Sequence, residues 1–291
     1  MAKSRMQILA FLVVAAVLTV AGTAAHAQMV RGRAPLNSSE MREVAANTKA
    51  PHCSVATIVG KWVFITDLMH SQQGTLHGAA VGTLNVGTDG TLLGKYDFEG
   101  TSEFRPGVEY VGTVSVNANC SGVVSFHDVG SDQMVAQSIV IAHDGREIWG
   151  MFQDPAMDIG TYRAKRTGVP RCSVSTVVGK WVFTTDLLYL QDGTLDGYAI
   201  GTLINHKDGT QDQTFDFEAT SGFYPGNHAS GTLTVNPDCT GIGRFQAEGD
   251  NYWVVQSFVV ADGGKETWGL FQDPTVDVGT FRSKRITEAR D

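Results

Sequence analysis

Apolar and polar residues alternate along most of residues 53–285. In the run near 91–99, Tyr96 and Phe98 fall on one side and Lys95, Asp97 and Glu99 on the other. Further on, Phe215 and Phe217 oppose Thr214, Asp216 and Glu218, and Gly231, Leu233 and Val235 oppose Thr232 and Thr234. A period of two belongs to strands with one face in a core. Asp89-Gly90, Asp144-Gly145 and Asp208-Gly209 lie between such runs, as hairpin turns require. No window between 53 and 285 carries convincing helical periodicity. Strands are therefore predicted at about 60–68, 78–87, 91–99, 109–117, 122–128, 133–142, 146–153 and 158–165.

The same pattern then repeats. Cys53-Ser-Val-Ala-Thr-Ile-Val-Gly-Lys-Trp-Val-Phe-Ile-Thr-Asp67 returns as Cys172-Ser-Val-Ser-Thr-Val-Val-Gly-Lys-Trp-Val-Phe-Thr-Thr-Asp186, an offset of 119. The offset holds without a gap to Trp149-Gly-Met-Phe-Gln-Asp-Pro155 and Trp268-Gly-Leu-Phe-Gln-Asp-Pro274. Across 53–166 and 172–285, 60 of 114 positions are identical. A unit of that length is a small domain rather than a solenoid repeat. The expected fold is all-β: two tandem eight-stranded antiparallel up-and-down barrels, closure removing exposed edges. An open sandwich is the structural alternative.

Met134–Ile141 with Ile148–Phe152, and Trp253–Val260 with Thr267–Phe271, are apolar on both faces. A strand of that kind is covered on both sides. One face fills the barrel, and the other needs a cover. Residues 133–153 and 252–272 are thus predicted to form a repeat–repeat or homo-oligomer contact, since only the five residues Thr167–Arg171 tether the copies.

The amino terminus follows another pattern. Lys3 and Arg5 precede an apolar run from Ile8 to Val20, followed by Ala25-His26-Ala27. This is the layout of a secretory signal peptide cut after Ala27, and the run is too short to span a membrane comfortably. The predicted organisation is 1–27 signal peptide, 28–52 arm with a possible short helix near Ser39–Ala46, 53–166 first barrel, 167–171 linker, 172–285 second barrel and 286–291 tail. Export makes the location secreted or periplasmic, an oxidising compartment. The formal charge of −8 comes without an extended basic cluster, so nucleic acid is not an expected partner. Cys53 and Cys120 recur as Cys172 and Cys239. The repeat favours disulfides Cys53–Cys120 and Cys172–Cys239; zinc, the rival, lacks paired histidines.

Gly60-Lys61-Trp62 and Gly179-Lys180-Trp181 stand on the first strand of each copy, with Arg163 and Arg282 on the last, in Gly-Thr-Tyr-Arg163 and Gly-Thr-Phe-Arg282. A first-strand Gly-x-Trp with a last-strand Arg resembles the calycin superfamily of lipocalins, fatty-acid-binding proteins and avidins. The resemblance implies that each Trp plugs the closed end of a barrel and that Arg163 and Arg282 pack across it, a cation–π contact. The layout of Cys-Ser-Val before Gly-Lys-Trp and Thr-Asp-Leu after it is similar to the avidin branch, without its aromatic biotin box.

The aromatic face supplies the candidate binding residues for a small apolar ligand: Trp62, Phe64, Tyr96, Phe98 and Phe126, and in copy two Trp181, Phe183, Phe215, Phe217 and Phe245. Gln137 and Gln256 interrupt apolar strands beside Ser138 and Ser257, so they need partners within the barrel, from the backbone or from a ligand. Asp97, Glu99, Asp216 and Glu218 admit an acid/base reading; opposite the aromatic face, solvated strand carboxylates are the favoured one. Asp154, Asp158, Asp273 and Asp277 belong to turns. His70, His77, His127 and His143 give way to Tyr189, Asp196, Gln246 and Asp262, so no duplicated catalytic or metal site is expected, and no cofactor or metal. No nucleophile, phosphate-loop or zinc-protease motif occurs. Three functions remain: a small-molecule binder, an interaction protein assembling through apolar barrel faces, and a small-barrel isomerase or cyclase, the first being preferred and an enzyme less expected.

Overall fold

The structure is a computed structural model that describes residues 52–71, 73–153, 159–190, 192–273 and 278–286. The proposed signal peptide, nearly all of the 28–52 arm, Asp154, Asp158, Asp277 and all of the tail but Ile286 lie outside the described residues.

Each copy opens with a one-turn helix, α1 (Val55–Ile58) or α2 (Val174–Val177), and then runs as a meander. Copy one comprises β1 (Gly60–Thr66), a two-residue β2 (Met69–His70), β3 (Leu76–Val86), β4 (Thr91–Gly100), β5 (Phe104–Val116), β6 (Ser121–Asp128), β7 (Val135–Ala142), β8 (Glu147–Phe152) and β9 (Thr161–Arg166). Copy two comprises β10 (Gly179–Tyr189), β11 (Leu195–Asn205), β12 (Thr210–Ala219), β13 (Gly222–Val235), β14 (Thr240–Ala247), β15 (Val254–Ala261), β16 (Glu266–Phe271) and β17 (Val278–Arg285). All neighbours are antiparallel. β1 pairs with both β3 and β9, placing Phe64 between Gly82 and Ala164, and so closes the first barrel. β10 closes the second against β11 and β17. The meander of eight strands per barrel is the one that the alternation predicts. The disulfides are Cys53–Cys120 and Cys172–Cys239, which removes zinc from consideration at these cysteines.

β5 begins at Phe104, ahead of the expected start, because Pro106 and Gly107 are absorbed into the strand rather than ending it. The register slips between Tyr96 and Phe98, and the freed Gly107 N–H donates to Asp97 Oδ1 at 2.7 Å. Asp216 accepts from Gly226 N–H in the same way at 2.8 Å. A bulge needs such a lock; Asp97 and Asp216 are therefore bulge residues rather than solvated carboxylates. Glu218 is exposed, whereas Glu99 is fully buried, against the solvated reading.

The closed end of each barrel carries the Trp that the resemblance implies. Trp62 and Trp181 are 0% exposed, and their indole N–H groups donate to Ile58 O at 2.8 Å and Val177 O at 2.9 Å. The arginine is not the expected one. Arg166 lies over Trp62, 4.7 Å from the ring centroid, and Arg285 over Trp181 at 4.9 Å. Arg163 instead stacks on Trp149 outside the barrel at 3.8 Å, and Arg282 pairs with Asp67 and Asp186. Strand geometry gives the reason. Trp62 is registered against Arg166 and Trp181 against Arg285, while a residue three positions away points to the opposite face. Arg166 also donates to Thr57 O, Val59 O and Gly145 O, at 2.8, 2.8 and 2.9 Å, tying helix and hairpin to the floor. Gly60 has φ +124°, and a Cβ there would meet Arg166 Nη1 at 3.0 Å, so the Gly of Gly-x-Trp makes room for its guanidinium.

The barrels touch through unlike faces. The outward side chains of β15 and β16, Val259, Trp268 and Leu270, join Val63, Ile65 and Val81 of β1 and β3 in one buried cluster. Lys165 Nζ reaches Glu266 at 2.9 Å and lies 5.7 Å above the Trp268 ring, Arg282 reaches Asp67 at 2.6 Å, Lys95 reaches Asp238 at 2.6 Å, and Ser257 Oγ donates to Asp97. The linker is bonded to the β15–β16 turn: Asp262 N–H donates to Arg166 O and Gly263 N–H to Thr167 O. The predicted repeat contact thus holds for 252–272. It does not hold for 133–153, whose outward face stays uncovered, because the short linker brings the second hairpin against the first strands and not against its own twin.

Candidate ligand-binding cavities

Each barrel is hollow above its tryptophan floor. The first encloses a cavity of about 330 Å³ and the second one of about 430 Å³. Both fall in the range of small-ligand sites. Phe64, Tyr96, Phe98, Phe126 and Gln137 line the first; Phe183, Phe215, Phe217, Phe245 and Gln256 line the second. Trp62 and Trp181 do not line them: both indoles lie in the packed floor beneath. The upper end of cavity one carries His77, Arg105, Asp128, Ser131 and Gln133, and Arg105 covers the Phe98 ring at 4.7 Å. Tyr96 Oη donates to both Asp128 carboxylate oxygens at 2.9 Å, fixing one wall.

The two cavities have different lower walls at equivalent positions. In cavity one these are Val86, Leu92, Ile148 and Ala164, with Tyr110 and Tyr162. In cavity two the matching positions hold Asn205, Gln211, Thr267 and Ser283, with Ala229 and Phe281. Their polar groups are chained: Gln213 Nε2 donates to Gln211 Oε1 at 2.7 Å, Gln211 Nε2 to Asn205 Oδ1 at 2.8 Å, and Asn205 Nδ2 to Val177 O at 3.1 Å, while Thr267 and Ser283 hydroxyls bond each other. Gly94 and Tyr110 explain the divergence. A Cβ on Gly94 would lie 2.4 Å from the Tyr110 ring, so this ring requires glycine beneath it. Copy two replaces the pair by Gln213 and Ala229, exchanging a ring for an amide. The alternation of strands identifies which residues face inward; the polar wall is legible only on aligning the two copies.

Burial pushes the Tyr110 and Tyr162 phenols above their ordinary value, Tyr110 further through its neighbours Tyr162 and Tyr96. Unfolded, both ionise near pH 10. The folded chain holds these protons more tightly, so their contribution to stability is intact below pH 10 and is lost as the pH climbs from there. The double substitution Tyr110→Phe, Tyr162→Phe is expected to move the midpoint of alkaline unfolding upward, as followed by near-UV circular dichroism; an unmoved midpoint contradicts the assignment.

This architecture defines a tandem eight-stranded β-barrel protein with a cavity in each barrel. No protein-family model matches the chain, and no curated protein does. Three of the solved structures it is similar to are as follows. One is a protein of unknown function of the DUF3598 family from Nostoc punctiforme (10% identity, 80% of this chain and 97% of that one, TM-score 0.25). The second is a Trp-176-Ala mutant of transferrin-binding protein B from Haemophilus parasuis (8%, 79% and 76%, TM-score 0.29). The third is transferrin-binding protein B from Neisseria meningitidis (8%, 78% and 77%, TM-score 0.31). At these TM-scores the likeness carries no functional argument for this chain. Among the described residues, no helix is long and apolar enough to cross a membrane.

Proposed function

We propose that the chain is a secreted or periplasmic binder of small apolar molecules, with one site per barrel and unlike specificity in the two. The observation that carries this is the pair of hollow barrels whose walls diverge from apolar to amide-lined at matched positions. A barrel kept only for its shape would gain from filling its interior, since unfilled apolar volume costs packing energy. Cavity one, walled by Phe64, Leu92, Phe126, Ile139 and Ile148, suits a wholly apolar ligand. Cavity two suits a ligand with an apolar body and a hydrogen-bonding end directed at Gln211 and Gln213. The basic start, apolar run and Ala25-His26-Ala27 support export, and the two disulfides fit an oxidising compartment.

Titration with the neutral fluorophore N-phenyl-1-naphthylamine tests the reading. Val124 and Gly243 occupy equivalent wall positions, and a Cβ on Gly243 meets only the Gln256 amide, at 3.9 Å. Val124→Phe is expected to weaken probe binding at least about tenfold, the scale of losing one well-packed apolar contact, and Gly243→Phe much less. Probe affinity left unchanged by Val124→Phe places the probe outside the first barrel and contradicts the proposal.

A further inference from the structure

The contact between the barrels is heterologous, and each barrel carries both of its halves. One half is therefore unused at each end of the pair. On copy one the β7–β8 face bares Val140, Trp149 and Met151 at 56, 44 and 56% exposure, while their counterparts Val259, Trp268 and Leu270 are 1, 2 and 0% exposed inside the contact. On copy two the β10–β11 face bares Val182 and Ile200 at 43 and 60%, while Val63 and Val81 are 0 and 3% exposed. An exposed apolar patch built at the positions of a working interface is a surface awaiting a partner.

The polar contacts transpose as well. Lys165–Glu266 becomes Lys284 with Glu147, Asp67–Arg282 becomes Asp186 with Arg163, and Asp97–Ser257 becomes Asp216 with Ser138. Both ion pairs keep opposite charges, and Asp216 keeps a hydroxyl donor. Lys95–Asp238 becomes Thr214 with Asn119, so both charges of that pair are absent together. Glu147 is at present held by Arg163 at 3.1 Å; the incoming Lys284 would take that place, leaving Arg163 to meet Asp186.

We propose that the chain associates with a second copy of itself head to tail, the β7–β8 face of one copy seating on the β10–β11 face of another in the manner of the internal barrel contact. Trp149 enters the position that Trp268 fills within the chain, beneath the partner's Lys284. A heterologous contact of this kind closes into rings or continues as filaments. It lacks the linker's tethering, so it is weaker than the internal one and depends on concentration.

Sedimentation velocity of the purified, disulfide-bonded chain over a wide concentration range tests this. The wild type is expected to associate reversibly. Trp149→Glu and Ile200→Glu each place a carboxylate on one half only, and each is expected to weaken association by roughly thirtyfold or more, the effect of losing an interface anchor. Both positions are exposed, so melting temperatures close to wild type establish that the variants fold. Mixing the two variants is the decisive arm: each retains the half that the other lacks, so together they form a one-to-one complex at concentrations where neither associates alone. A wild type that stays monomeric throughout overturns the proposal and assigns the faces to another occupant. So does an Ile200→Glu chain that still dimerises, since that contact pairs β7–β8 faces with each other.

Discussion

Trp181→Ala is expected to lower the stability of the second barrel by about 4 kcal/mol, the scale of large-to-small substitution at a fully buried aromatic. The indole is 0% exposed, its N–H is the donor to Val177 O, and its face carries Arg285. Its removal leaves a void in the floor, a carbonyl at the end of α2 held by Asn205 alone and a guanidinium without its ring. Trp62→Ala is expected to do the same through Ile58 O and Arg166. Arg163→Ala is the contrast: on the outer face above Trp149 it holds the buried Glu147 but has no place in the floor, and it is expected to cost about 1–2 kcal/mol, clearly less than the loss of Arg166. Urea unfolding of these variants and of Arg166→Ala, followed by tryptophan fluorescence, checks this. Equal losses for Arg163→Ala and Arg166→Ala would return the capping role to the residue that the Gly-Thr-Tyr-Arg pattern implies.

The second large effect is expected from the staples. Each disulfide closes a sequence separation of 67 residues, which in the chain-entropy model is worth about 4 kcal/mol. Cys172→Ala with Cys239→Ala also leaves two small voids, since the half-cystines are 5% and 2% exposed. The double variant is expected to melt well below the wild type, and dithiothreitol to bring the wild type close to a variant lacking both bridges. A loss under about 1 kcal/mol would mean that the unfolded chain is already compact about these residues.

Much of this molecule is legible in its sequence, and the parts that are not share a cause. The gap-free repeat and the placement of Phe64, Tyr96, Phe98 and Phe126 on one face follow from a period of two, which is local. The disulfides follow from the symmetry of the repeat. Arg166 was hidden beside Arg163 because choosing between them requires the inter-strand register, fixed by pairing partners distant in the chain. Arg105-Pro106-Gly107 reads as a turn until Asp97, on the neighbouring strand, is seen to hold the bulge. The hairpins at 133–153 and 252–272 have the same pattern yet opposite fates, decided by a linker whose geometry the pattern does not encode. The floor residues Trp62 and Trp181 share the strand face of the cavity residues, and only depth along the barrel separates plug from wall.

A crystal structure of the chain grown with N-phenyl-1-naphthylamine decides whether the barrel interiors are binding sites. Probe density is expected inside the first barrel, against Tyr96, Phe126 and Ile139 and above the Trp62 floor. Barrels closed up by their own side chains, with the probe held only on the outer apolar faces, would contradict it.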